Sequence, residues 1–97
     1  EVKVPCPESD KDGVVNAVTR SLIDAGLECS TVDGVRTRFE DENGNYIGWY
    51  LCRRSNTEEV LVMRTEAINE SSLNDVMEQV KNLAGPHIDL SNLFEAL

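Results

Sequence analysis

Two guanidinium groups, two hydroxyls and a carboxamide stand side by side in Arg53-Arg54-Ser55-Asn56-Thr57. Each of these side chains can donate a hydrogen bond, and arginine adds a planar fork that meets two oxygens of one phosphate group. A tight turn between two strands would contribute inward-pointing backbone N–H groups, an anion nest. The chemistry that suits such a set is the holding of a phosphate. On composition alone the pentapeptide is suggestive only, since a polar hairpin loop with ordinary surface arginines has the same make-up.

No other constellation competes with it. His87 is the single histidine and lies in a Gly-Pro loop, where Asp89 alone completes no ligand set. One histidine without a neighbouring nucleophile motif excludes a Ser/His/Asp arrangement. Glu40-Asp41-Glu42 beside Asn43-Gly44 reads as a solvated hairpin tip rather than a cation site. Cys6, Cys29 and Cys52 are odd in number and lack CxxC spacing, which predicts unlinked thiols rather than a disulfide framework or a thiolate zinc site. Their equal separation is no repeat, because the flanks Pro-Cys-Pro, Glu-Cys-Ser and Leu-Cys-Arg share nothing. Asn69-Glu70-Ser71 has the form of a glycosylation sequon but reads as the polar start of a helix.

The elements that must carry the pentapeptide follow from periodicity. Val14, Val15, Val18, Leu22 and Ala25 form one helical stripe, Asp10 and Asp12 load its start with negative charge, and Gly26 stands where a left-handed C-terminal residue belongs; the spacing predicts a helix over 11–25. Leu73, Val76, Met77, Val80, Leu83 and Ala84 predict a second, with Ser71 or Ser72 as N-cap and Gly85-Pro86 as its stop. Between them lie four extended segments, 27–32, 35–40, 46–53 and 59–67, punctuated by Asp33-Gly34 and Asn43-Gly44. In the third, Ile47, Trp49 and Leu51 alternate with Tyr46, Gly48 and Tyr50, which suggests Trp49 for the core and Tyr50 for the sheet surface. Val2–Val4 adds an edge strand. Leu90, Leu93, Phe94 and Leu97 form a short amphipathic tail, capped by Asp89 or Ser91 and expected to pack on this same domain. The result is a single α+β domain over 1–97: an antiparallel sheet with two helices on one face and the other face open.

Charge and size bound the function. The 97 residues hold nine Lys plus Arg against eighteen Asp plus Glu, a net charge of −9, the wrong sign for a nucleic acid or an anionic membrane. Positions 35–65 are nonetheless neutral, because Arg36, Arg38, Arg53, Arg54 and Arg64 offset five acids there. The longest aliphatic run, Val60-Leu61-Val62-Met63, is far below the roughly 18 residues of a membrane span. A chain this short builds two packed layers but no deep catalytic cavity. Its start, Glu1-Val2-Lys3-Val4-Pro5, has neither Met nor a signal pattern and reads as a piece of a longer protein.

Asp33-Gly34-Val35, Gly48-Trp49-Tyr50-Leu51, Arg53-x-Ser55-Asn56-Thr57-Glu58 and Val60-Leu61-x-Met63-Arg64-x-Glu66-Ala67 together resemble the C-terminal, fourth domain of the α-D-phosphohexomutases, the phosphomannomutase/phosphoglucomutase branch above all. The resemblance covers residues 33–84 and is specific as a combination. It implies a TATA-binding-protein-like fold of strand, helix, four strands and helix, which is the order reached from periodicity. It further implies that Arg53, Ser55, Asn56 and Thr57 hold the phosphate of the sugar that is not being transferred. Arg54 occupies the motif's variable position, Glu59 stands where Pro is frequent, and Asn56 in place of Gly points to the mannose/glucose branch rather than to phosphoglucosamine mutases.

By the same resemblance, the phosphorylated serine and the magnesium loop belong to other domains. The whole enzyme, cytoplasmic and dependent on magnesium and a hexose bisphosphate activator, would interconvert hexose 1-phosphate and hexose 6-phosphate. This part would serve as its phosphate-binding lid, partnered by hexose phosphate and by other domains of the same chain, and inactive alone. The competing expectation is a free-standing acidic α+β module that binds a protein or a small anion.

Overall fold

Nine elements run through the computed structural model, which describes residues Glu1–Leu97: β1 (Val2–Pro5), a 3-10 turn (Glu8–Asp10), α1 (Lys11–Asp24), β2 (Cys29–Ser30), β3 (Val35–Glu40), β4 (Tyr46–Arg54), β5 (Val60–Ala67), α2 (Glu70–Leu83) and α3 (Ser91–Glu95). The five strands form one antiparallel sheet in the order β1-β5-β4-β3-β2. α1 and α2 lie together on one face, as the α+β expectation requires. Val18 and Leu22 of α1 and Val76, Met77 and Val80 of α2 bury against Val35, Phe39, Tyr50, Cys52, Leu61 and Met63 of the sheet. Each such aliphatic side chain contributes about 1.5–3 kcal/mol when fully removed from water.

The helix ends follow local chemistry. Gly26 takes φ +86° just beyond α1, the left-handed position a residue with Cβ resists. Ala25, counted on the helical stripe, is instead the exposed C-cap. α2 corrects the expected cap: Asn69 Oδ1, not Ser71 or Ser72, accepts the Ser72 N–H at 2.8 Å, so both serines fall inside the first turn. The asparagine of the sequon is thus the N-cap.

Two strands depart from expectation. β2 spans only Cys29 and Ser30 of the expected 27–32, since those two residues alone reach register with Thr37 and Arg36 before the turn at Gly34 (φ +68°); Val32 is 96% exposed. In β4 the assignment of faces is reversed. Phe39 pairs with Gly48 but Glu40 pairs with Tyr46, so Ile47 is the extra residue of a bulge and is buried together with Gly48. Beyond the bulge, Tyr50 and Cys52 face the helices. Tyr50 is fully buried with its hydroxyl 3.1 Å from Met63 Sδ. Trp49 lies on the open face, with the Arg36 and Arg64 guanidiniums 4.6 Å and 5.7 Å from its ring centroid.

The tail packs on this domain. Leu90 and Leu93 join the core, and Asn92 Nδ2 donates to the Lys3 carbonyl at 2.9 Å. The N-cap of α3 is Leu90, not Asp89 or Ser91 as expected, and has no side-chain cap bond; Asp89 just before it accepts the Ser91 N–H at 2.9 Å, and Phe94 and Leu97 stay exposed. Cys6, Cys29 and Cys52 are free thiols. No helix is long and apolar enough to cross a membrane.

Candidate functional site: the turn between β4 and β5

Arg53 and Arg54 are the last residues of β4, paired with Val62 and Leu61 of β5, and the pleat sends their side chains to opposite faces. Arg54 points to the helix side. There its Nη1 donates to Asp12 Oδ1 at 2.7 Å and its Nη2 to Glu8 Oε2, while its buried Nε has no partner. The Asp12 carboxylate foremost raises the Arg54 pKa. Arg53 points to the open side and keeps only loose company: Asp33 Oδ2 is 4.0 Å from its Nε, and Nη1 reaches the Arg54 carbonyl at 3.4 Å. Most of its five donors are uncommitted.

Gly34 explains how Arg53 sits where it does. A Cβ on Gly34 would lie 2.2 Å from the Cys52 carbonyl oxygen and 2.6 Å from Arg53 Cβ, so the β2–β3 turn can close over the end of β4 only with glycine there.

Residues 55–59 then turn the chain into β5. Ser55 is buried; its N–H donates to the Val60 carbonyl at 3.1 Å, and its Oγ accepts from the N–H of Thr57 at 3.3 Å and of Glu58 at 3.1 Å. A hydroxyl has two acceptor lone pairs and one proton. With both lone pairs engaged, the Ser55 proton is left to donate. Asn56 and Thr57 stand exposed at the tip. The four residues named from the sequence thus fall at the end of β4 and in the turn that follows it, and Arg54, which lies among them in the chain, is held on the helix side by its ion pairs.

Reading the sequence missed Lys11 and Glu8. Lys11 has no exposed surface, and its Nζ donates to the Ser55 carbonyl at 2.8 Å, to the Glu58 carbonyl and to Glu8 Oε1 at 2.9 Å. This bond to Lys11 is also the main reason the Glu8 carboxyl is held below its ordinary value. The signal was present: Lys11 precedes Val14, Val15 and Val18 by three, four and seven positions, on the stripe that α1 buries. On the outer side, Lys3 Nζ meets Glu58 Oε1 at 2.7 Å.

Arg53, Ser55, Asn56 and Thr57 line none of the three main surface cavities. A groove of about 740 Å³ lies elsewhere, at the β2 edge of the sheet, lined in part by Arg36, Arg38, Tyr46 and Trp49. What the turn offers is partly exposed Arg53 and exposed Asn56 and Thr57, beside buried Ser55. No group of three or more His, Cys, Asp or Glu side chains is placed to share a metal ion.

The family model for the phosphoglucomutase/phosphomannomutase C-terminal domain matches residues 1–83. The chain belongs to this family. A phosphoglucosamine mutase of Methanococcus vannielii is 36% identical over 76 residues, 77% of this chain and 16% of that protein. Phosphomannomutase/phosphoglucomutase of Pseudomonas aeruginosa PAO1 is 32% identical over 82 residues, 84% of this chain and again 16% of that protein. That of Pseudomonas putida is 30% identical over 78 residues, 80% of this chain and 16% of its own length. The chain thus spans about a sixth of the curated relatives it matches. As a phosphohexomutase C-terminal domain it has the whole sheet, α1, α2 and the turn inside the matched span, and α3 outside it.

Proposed function

We propose that this domain is the substrate-phosphate-binding lid of a phosphohexomutase that interconverts hexose 1-phosphate and hexose 6-phosphate, with Arg53, Ser55, Asn56 and Thr57 holding the phosphate that is not being transferred. The observation that carries this reading is the division between the two arginines. Arg54 is spent on Asp12 and Glu8, while Arg53, two residues before Ser55, keeps most of its donors free. A dianion held there gains charge-assisted bonds of about 1.5–3 kcal/mol each.

Such a site acts at a distance. Binding one phosphate fixes the sugar, and the remote binding energy is converted into position of the reacting end. A sugar bisphosphate that turns around between two transfers presents either phosphate to the same turn, so the site must recognise the phosphate and not the hexose. Donors that are main-chain groups, hydroxyls and a guanidinium meet that requirement. No cluster of acidic, histidine or cysteine side chains is placed to hold magnesium here; on this reading magnesium, the bisphosphate activator and the phosphorylated serine belong to the remainder of a longer, cytoplasmic mutase. Relatives of both names match at similar identity, so assignment to the mannose/glucose branch rests on Asn56 alone.

Titration of the ¹⁵N-labelled chain with glucose 1-phosphate tests the reading. Amide shifts should concentrate at residues 53–58, with weak affinity because the opposing walls are missing; shifts concentrated elsewhere contradict it.

A further inference from the structure

Lys11 ties the turn from below. Its three ammonium protons are all used, on the carbonyls of Ser55 and Glu58 and on the Glu8 carboxylate. Ser55 and Glu58 are also joined directly, the Glu58 N–H donating to Ser55 Oγ at 3.1 Å. The same two residues are therefore clamped twice, once by a hydroxyl within the turn and once by a side chain from α1.

A trans peptide unit is planar, and its C=O and N–H point in opposite directions. The Ser55 carbonyl is aimed at buried Lys11, so the N–H of Asn56, in the same peptide plane, is aimed away from it. That N–H makes no hydrogen bond within the chain. Its neighbours on either side are engaged, the Ser55 N–H with Val60 and the Thr57 N–H with Ser55 Oγ. Two main-chain donors of the turn are thus left over, the N–H groups of Asn56 and Glu59, each in the peptide plane of a carbonyl that Lys11 holds; Asn56 is the one at the tip, between Ser55 and Thr57.

We propose that Lys11 is the positioning residue of the phosphate turn: by gripping the Ser55 and Glu58 carbonyls from the core side, it holds the Asn56 N–H outward as a main-chain donor to the phosphate. This rests on the phosphate-site reading above and adds a residue and a donor to it. Lysine suits the task because its long stem buries along α1 while its head has three donors that reach into the turn. Arg54 makes the grip stiffer, since Glu8 bridges Lys11 and Arg54 and so fastens the start of α1 to the end of β4.

The test is amide hydrogen exchange and glucose 1-phosphate titration of the ¹⁵N-labelled chain, unsubstituted and as Lys11→Met, Lys11→Arg, Arg53→Ala and the double variant Lys11→Met with Arg53→Ala. In Lys11→Met, the Thr57 and Glu58 amides should exchange faster while those of Tyr50 and Met63 keep their protection. Affinity should fall about tenfold, the loss of one bond to a charged group. Lys11→Arg should recover part of the turn's protection. The double variant should lose less than the two single losses multiplied together, because both act on one turn. Unchanged turn exchange and affinity in a folded Lys11→Met overturn the proposal.

Should Lys11→Met fail to fold, the unsubstituted chain decides. The Lys11 Nζ resonance must then shift on titration with the same dissociation constant as the Asn56 amide, and a resonance unmoved at saturation overturns the proposal. Failure of the underlying reading looks different: Arg53→Ala would bind glucose 1-phosphate as well as the unsubstituted chain does, whatever Lys11 does to turn exchange.

Discussion

Arg54 Nη1 sits 2.7 Å from Asp12 Oδ1, which fastens the last residue of the central strand to the first turn of α1 and withdraws that guanidinium from the turn beyond it. The next arginine back, Arg53, has no comparable partner. Both partners in the Arg54 pair are partly exposed, and exposed ion pairs are weak and screened by salt. Arg54→Ala is accordingly expected to lower the urea midpoint only slightly at low ionic strength, with the difference vanishing in about 1 M salt. Paired urea titrations at the two salt concentrations check this; a large loss that persists in salt would place Arg54 in the core of the fold.

The reversed faces of β4 set a second expectation. Tyr50→Ala empties a fully buried site and should cost roughly 3–5 kcal/mol. Trp49→Ala removes an open-face ring and its two arginine contacts and should cost about 1–2 kcal/mol. Chemical denaturation of both variants ranks them, and the reverse order would restore Trp49 to the core.

That strand also shows where periodicity stops being enough. Both helices were legible because their apolar residues recur at helical spacing, and Gly26, Gly34 and Gly44 marked three turns by residue type alone. In β4, Tyr46 to Leu51 is apolar on both phases, and the phase is set by a one-residue bulge opposite Phe39 and Glu40, a property of the pairing and not of the strand. The donor set of the turn was legible as composition and motif. The brace beneath it was not, because Lys11 is charged and a stripe counted in apolar residues passes over a lysine whose burial depends on carbonyls more than forty residues away.

The thiols carry a third prediction. Burial raises the Cys52 pKa from 9.0 to about 11 and also raises that of Cys6. Alkylation of the folded chain at pH 8 should reach half-buried Cys29 first and Cys52 last, and intact mass should be the same with and without reductant. Because the folded thiol of Cys52 holds its proton more tightly than the unfolded one, its contribution to stability is full below pH 9 and is lost as pH rises from 9 toward about 11. A mass two hydrogen atoms lighter without reductant would reveal a disulfide and contradict the free-thiol arrangement.

On the proposed reading, in which the reacting groups lie in the rest of a longer mutase, the chain alone is expected not to catalyse. Purified chain incubated with glucose 1-phosphate, magnesium and a hexose bisphosphate should show no turnover above a blank without protein; measurable turnover would mean that it is more than a lid.

The most direct test of the proposed phosphate role of the turn compares Arg53→Ala with Arg54→Ala in a full-length mutase carrying this domain. Loss of a charge-assisted bond at Arg53 should lower kcat/KM roughly 10- to 150-fold. Arg54→Ala, whose guanidinium is already committed to Asp12 and Glu8, should lower it far less. Equal losses at the two arginines would contradict the account.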